Sequence, residues 1–193
     1  MKLRHLVVVV ALSLAAAAAQ AQVGLYINPV FDHISNSTQD SGTFSFLGPN
    51  TTSRMFYGVD IGGYYDFLHG AKVNGGVDVR EVLVRGNNAG LKSFLVGARL
   101  STHPFKAPIK PYAQVSIGVG SSHAPTNALA VSKAQYGVFA GADYTLAKHV
   151  DWRVAEIGYG SVTTVSSETV GGTTTIPSAS VLSFSTGFVF RFR

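Results

Sequence analysis

The segment FDHISN, residues 31–36, holds the most readily recognised reactive pair in the chain. His33 and Ser35 are two apart, and on an extended strand that spacing turns both side chains to one face. A serine nucleophile beside a histidine base suits acyl transfer, provided that a carboxylate orients the imidazole. The next acid along the chain is Asp40, in a loop, and His-x-Ser pairs are common, so no catalytic residue is assigned. His69, His103 and His149 fall in three short connections at one end of the expected fold. None has a neighbouring ligand at zinc spacing, so no metal is expected and no cofactor either. The Gly-x-Gly occurrences lie inside strand-like runs and not on a strand-to-helix turn, which excludes a phosphate loop.

A different set of ionisable residues is spread through the chain: Asp60, Asp78, Asp143 and Glu156 against Arg80, Arg99, Arg153 and Arg191. What positions them is a period of two. From Gln22 onward the residues alternate in runs of about 10 to 14, which predicts eight strands over 23–33, 54–67, 72–84, 91–103, 111–121, 135–146, 151–161 and 180–192. In the second run Met55, Tyr57, Val59, Ile61 and Tyr65 oppose Gly58, Asp60, Gly62 and Tyr64. In the third Val73, Val77 and Val79 oppose Asn74, Asp78 and Arg80, and the fourth sets Phe94, Val96, Ala98 and Leu100 against Ser93, Gly97, Arg99 and Ser101. One face is apolar, and the other is small, polar or charged.

Soluble sandwiches and barrels alternate too, so the polar face decides. Glycine and serine mixed with a few balanced charges make a poor water-exposed surface but suit a narrow lumen, where bulk is limited and charges pair across the barrel. A soluble exported barrel of lipocalin type would reverse the faces and put the apolar residues inside around a ligand; against it stand Arg191 and the other Asp and Arg residues of the polar face, with a lack of charge on any other face. Connections alternate between short (LHGA, PFKAPIK, AKHV) and polar (residues 35–53, GNNAG, SHAPTNALAVSKA and the stretch after Ser161). The expected fold is therefore all-β: an eight-stranded antiparallel up-and-down transmembrane β-barrel with both termini at the short-turn end. Tyr57, Tyr65, Phe67, Phe94, Tyr144, Trp152 and Phe192 fall towards strand ends, where a membrane barrel carries its interfacial girdles. Two places resist the pattern. DWRVAEIGYGS changes parity, which a bulge near Ala155 would reconcile with Arg153 and Glu156 both inward. Glu81 would face lipid unless the register slips.

Composition fits. Charged residues are 13% of the 193, glycine numbers 21, and a globular chain carries about 25% charged residues. Residues 1–21 read as a secretory signal peptide, with Lys2 and Arg4, an apolar stretch and an Ala-Gln-Ala site cut after Ala21. Losing Lys2 and Arg4 takes the formal charge from +5 to +3, too small a balance for a nucleic-acid binder. Residues 22–193 form the barrel domain. Without cysteine the mature chain carries neither a disulfide nor a lipoprotein anchor.

The chain resembles the small eight-stranded outer-membrane barrels, the group of the OmpA transmembrane domain and OmpX. The resemblance is strongest in STGFVFRFR, residues 185–193. Those proteins end in a strand of polar, any, Gly, any, any, apolar, any, aromatic, and Ser185, Gly187, Phe190 and Phe192 occupy those places. Arg193 departs from the pattern, since the aromatic is usually last. Residues 137–160 also look like a late hairpin of that group. The resemblance implies a monomeric, non-enzymatic barrel in the outer membrane of a Gram-negative bacterium, with periplasmic termini and no OmpA-type peptidoglycan-binding half. Its implied partners are membrane lipid, lipopolysaccharide, the barrel-assembly machinery and, through the longer loops, a surface partner that the residues do not name. The HISN stretch is in turn similar to the His-x-Ser-Asn segment of the lipid A deacylases, though that segment lies late in their chains and is followed by an orienting Glu. If the terminal strand is the assembly signal, Phe192→Ala lowers the amount of folded barrel in outer-membrane fractions more than any loop substitution does, measured by immunoblot of unboiled samples.

Overall fold

Strands with one apolar and one polar face bury the polar face most completely by closing on themselves, and this chain does so. The computed structural model describes residues 22–40, 42, 44–102, 104, 108–126, 129–166 and 176–192; residues 1–21, expected to be a signal peptide, His103 and Arg193 lie outside them. Eight strands follow in chain order: β1 (Gln22–Ser35), β2 (Ser53–His69), β3 (Val73–Gly86), β4 (Ala89–Thr102), β5 (Ile109–His123), β6 (Ala130–Ala147), β7 (Val150–Val162) and β8 (Ala179–Phe192). Each pairs antiparallel with the next. The ring closes between β1 and β8, from Val23↔Phe192 to Ser35↔Ser180.

All eight expected strands are present, and most run longer than their sequence limits. A tilted membrane strand needs about 9 to 11 residues, whereas these have 13 to 18, so the surplus forms a collar beyond the apolar belt. The extension corrects the loop reading in two places. β6 begins at Ala130, which shortens the expected long third polar loop to residues 124–129. GNNAG becomes a two-residue hairpin turn in which Asn87 and Asn88 both have positive φ, 48° and 62°. Paired positive φ values match the twist of the flanking strands, and asparagine tolerates them better than most residues.

The register settles both awkward stretches. Between β7 and its neighbours the pairing shifts at residues 153–156, so Val154–Ala155 form the bulge and Arg153 and Glu156 both turn inward. Glu81 pairs with Ile61 and Phe94 without a slip and does face outward. Lys92 Nζ meets its carboxylate at 2.8 Å on the same outer wall. Around the middle of the barrel the wall is otherwise apolar, with Val115 60% and Ile117 69% exposed. Tyr65, Phe67, Tyr144, Trp152 and Phe192 stand on the short-turn side of it. Phe31, Tyr57, Tyr136 and Tyr159 stand towards the other end, and Phe31 meets Tyr57 edge-on at 5.6 Å. Phe94, paired with Glu81, lies below that second group because the hairpin extends β4 upward.

Inside the collar lies an apolar cluster. Val30, Ile34, Phe56, Val84, Leu91, Val162 and Val181 point inward and meet Phe46 and Leu47 from the loop after β1 and Val165 from the loop after β7. Phe46 stacks on Phe56 with centroids 5.0 Å apart and planes within 1°. Truncating a buried phenylalanine costs about 3 to 5 kcal/mol where the site cannot collapse. Phe56→Ala should therefore lower barrel stability by about that much, read as a fall in the urea midpoint of the refolded protein, and Leu146→Ala on the lipid-facing wall should lower it less.

Candidate functional site: the charged lumen

Beneath the apolar cluster the inward face changes character, and every strand contributes to one polar network. Arg80 of β3 is its hub. Its Nη1 and Nη2 donate to Glu156 Oε1 and Oε2 of β7 at 2.8 and 3.1 Å, its Nε to Asp78 Oδ1 at 3.2 Å, and Nη2 also to Gln114 Oε1 at 3.0 Å. Asp60 of β2 stands 3.5 Å from the same guanidinium. A planar, permanently charged fork suits this position, because one side chain donates to several strands at once.

Arg153 forms the second centre, with Nε donating to Asp143 Oδ1 at 3.1 Å and Nη1 3.6 Å from Glu156 Oε2. Arg99 reaches the other oxygen of Asp143 at 3.3 Å and lies 3.6 Å from Asp66. Inward tyrosines separate the guanidinium planes. Arg153 lies 4.3 Å from the Tyr26 ring centroid, Arg99 3.8 Å from Tyr64 and 4.5 Å from Tyr112, and Arg80 4.2 Å from Phe139. The hydroxyls of Tyr26 and Tyr112 donate to Asp78 at 3.0 Å and to Glu156 at 2.7 Å. At the short-turn end Asp151 is shared by Arg191 and Lys110, both at 2.7 Å.

All eight charged residues singled out by parity thus face inward and are buried. The structure adds Asp66, Asp151 and Lys110 to the network, and Asp32 to the inward face of β1. Asp66 shares parity with Asp60, and Asp151 with Arg153, so the same count had both within reach; each sits near a strand end, where parity is hardest to assign. Lys110 precedes the expected start of its strand.

The reactive-pair reading fares differently. His33 and Ser35 share a face, as their spacing requires, but it is the outer face at the loop end. Ser35 Oγ lies 2.9 Å from Ser180 Oγ across the β1–β8 seam, and the carboxylate of their own strand, Asp32, projects to the opposite side. His149 Nδ1 is 3.1 Å from the carbonyl oxygen of Arg191, and among the described residues no group of three His, Asp or Glu side chains is placed to hold a metal.

No protein-family model and no curated protein sequence matches the chain. Solved structures do. Neisserial surface protein A aligns with a TM-score of 0.56 at 18% identity, covering 89% of this chain and 97% of that one. Ail, the attachment invasion locus protein of Yersinia pestis, gives 0.56 at 12% identity, covering 89% and 99%. The fold is that of the small eight-stranded outer-membrane β-barrels. In that architecture the terminal strand closes the ring. Phe188, Phe190 and Phe192 face outward and Arg191 inward, while Ser185 Oγ reaches Glu156 at 3.5 Å. Gly187 backs onto β1 so closely that a Cβ would run into Asn28 Oδ1 and the Ile27 carbonyl.

Removing one partner of a buried pair leaves the others uncompensated, at about 3 to 5 kcal/mol, whereas an exposed pair contributes about 0 to 1 kcal/mol. Arg80→Met should accordingly cost several kcal/mol of unfolding free energy and Lys92→Met little, compared by urea titration of tryptophan fluorescence in the same lipid.

Proposed function

We propose that the protein is a non-enzymatic integral protein of the bacterial outer membrane, monomeric, with periplasmic termini and a lumen closed by its own side chains. The observation that carries this reading is the filling of the lumen by two unlike materials, the Arg80–Glu156 network below and the apolar cluster with Phe46 above. An eight-stranded ring is about wide enough for its side chains, so an architecture shared with porins here supports an envelope protein and not a diffusion channel. Lipid and lipopolysaccharide are its constant partners, and the assembly machinery meets it at the β8 end. The remaining surface suited to a specific contact is the collar with the loops after β1 and β7, which supports a role in envelope integrity or in surface interaction. The one carboxylate of their strand, Asp32, projects to the opposite face and cannot orient His33, which weighs against a deacylase.

Three measurements test the proposal together. The folded protein in cold SDS should migrate as a band that shifts on boiling, and planar bilayers containing it should show no discrete conductance steps. Mass spectra of lipid A from cells with and without the gene should show the same acyl pattern. A chain recovered in soluble periplasmic extract, stepwise conductance or a lost acyl chain would overturn, respectively, the location, the closed lumen and the non-enzymatic reading.

A further inference from the structure

One buried carboxylate stands apart from the charged network. Asp32 of β1 points inward and is 3% exposed, and its Oδ1 has no hydrogen-bond partner among the described residues. It lies within the apolar cluster, between Val30 and Ile34 of its own strand and opposite Phe56 of β2. On its other side is Ser183 of β8, whose hydroxyl is placed to serve the second oxygen. Phe56 carries the stacked ring of Phe46, so the loop after β1 closes over the cluster that holds this acid. The inward arginines below are committed elsewhere, Arg80 to Glu156, Arg99 and Arg153 to Asp143 and Arg191 to Asp151. Arg54, one inward place above Phe56, has its guanidinium against Gly48 of the loop. Asp60, two inward places below Phe56, shares Arg80, and Asp40 of the loop accepts from Gly42 N at 2.9 Å. Lys133 is on β6, on the far wall, and the inward residues of β8 nearest Asp32 are Ser183 and Ser185.

We propose that Asp32 makes the seating of this loop acid-dependent: protonated, it packs beneath Phe46 and Phe56 and the loop stays down, and ionised, it draws water into the cluster and releases the loop. The inference adds a regulation to the collar and loops as an interaction surface, and it rests on that reading. A carboxylate withdrawn from water with no cation beside it is costly, whereas the neutral acid loses much less. Burial therefore disfavours the charged form and moves the titration above the free aspartate's value of about 3.9. The seated loop binds the proton more tightly than the released one. Its advantage is complete below the free value and is lost as pH rises through the higher value of the seated state. The loop is built to lift as a unit, because Ser45 N donates to Gly42 O and Gly48 N to Ser45 O within it, while Phe46 and Leu47 seat it on the barrel. Release opens the apolar closure alone. Arg80 and Glu156 keep each other beneath it, so the lumen stays shut and the change is confined to the surface that the barrel presents.

The test uses the refolded full-length mature barrel in lipid, with a nitroxide on Pro49→Cys, an exposed loop position in a chain that has no other cysteine. Label mobility is read by electron paramagnetic resonance from about pH 4 to about pH 8, a range that brackets a raised aspartate. The mobile fraction of this labelled parent should rise with pH, the seated-to-released ratio changing about tenfold for each pKa unit by which seating raises Asp32. Asp32→Asn and Asp32→Leu, both neutral, should keep the loop seated and the profile flat. His33→Gln on the outer face and Asp40→Asn in the loop should titrate as the parent does. A flat profile for the parent, an unchanged profile in the Asp32 variants, or a profile abolished by His33→Gln or Asp40→Asn overturns the switch. Phe46→Ala should be mobile at every pH, and an immobile label there overturns the seating of the loop by the cluster. A heat-shifted band in cold SDS is read for each protein first. A parent without that band overturns the barrel reading, whereas a heat-shifted parent with a flat profile overturns the switch alone.

Discussion

In hydrocarbon a backbone N–H or C=O without a partner has no water to turn to, and the rest of this molecule follows from that constraint. A sheet of eight strands has two edges, and here they satisfy each other through the β1–β8 seam. Closure fixes which faces exist. Side chains of one parity must meet lipid, those of the other must fit within a ring of eight strands, and no third environment is available along the spanning region. The terminal strand shows both demands within a few residues, with Phe188, Phe190 and Phe192 outward and Arg191 held inward on Asp151.

Closure also explains why the lumen is assembled as it is. A ring this narrow cannot hydrate many separate ions, so each charge needs a protein partner, and the partner lies across the ring. Arg80 on β3 meets Glu156 on β7, and Arg99 on β4 meets Asp66 on β2 and Asp143 on β6. Such side chains need space, which glycine supplies. Tyr26 covers Gly62, Tyr64 covers Gly24, Tyr112 covers Gly141 and Phe139 covers Gly158, each so closely that a Cβ would collide with the ring above it. The high glycine content and the low charge content are therefore two sides of one packing solution. Its net contribution to stability need not be large, because the desolvation of each ion opposes the attraction.

This division into faces was legible in the sequence because parity is a local property that needs no partner to be known. Even the β7 bulge could be placed, since Trp152 and Ile157 cannot both face lipid on a regular strand. What parity could not supply was anything that depends on where a strand stops. Asp66, Asp151 and Lys110 lie near strand ends, and β6 extends well into what reads as a polar loop because pairing with β5 continues from Gly120↔Lys133 to His123↔Ala130. The stacking of Phe46 on Phe56 was equally hidden: nothing in TFSFLG states that the loop folds back over the collar.

The two parts of the lumen close by different physics. The charged network depends on geometry, since each ion is stable only while its partners stay near their present positions. The apolar cluster depends on exclusion of water by side chains from the strands and from two loops. A transport path would have to break both, separating buried ions in one and wetting apolar surface in the other. Neither barrier opposes contact at the outside of the barrel. On the proposed reading the loops and the outer rim carry the interactions, while the lumen and the apolar cluster hold the scaffold.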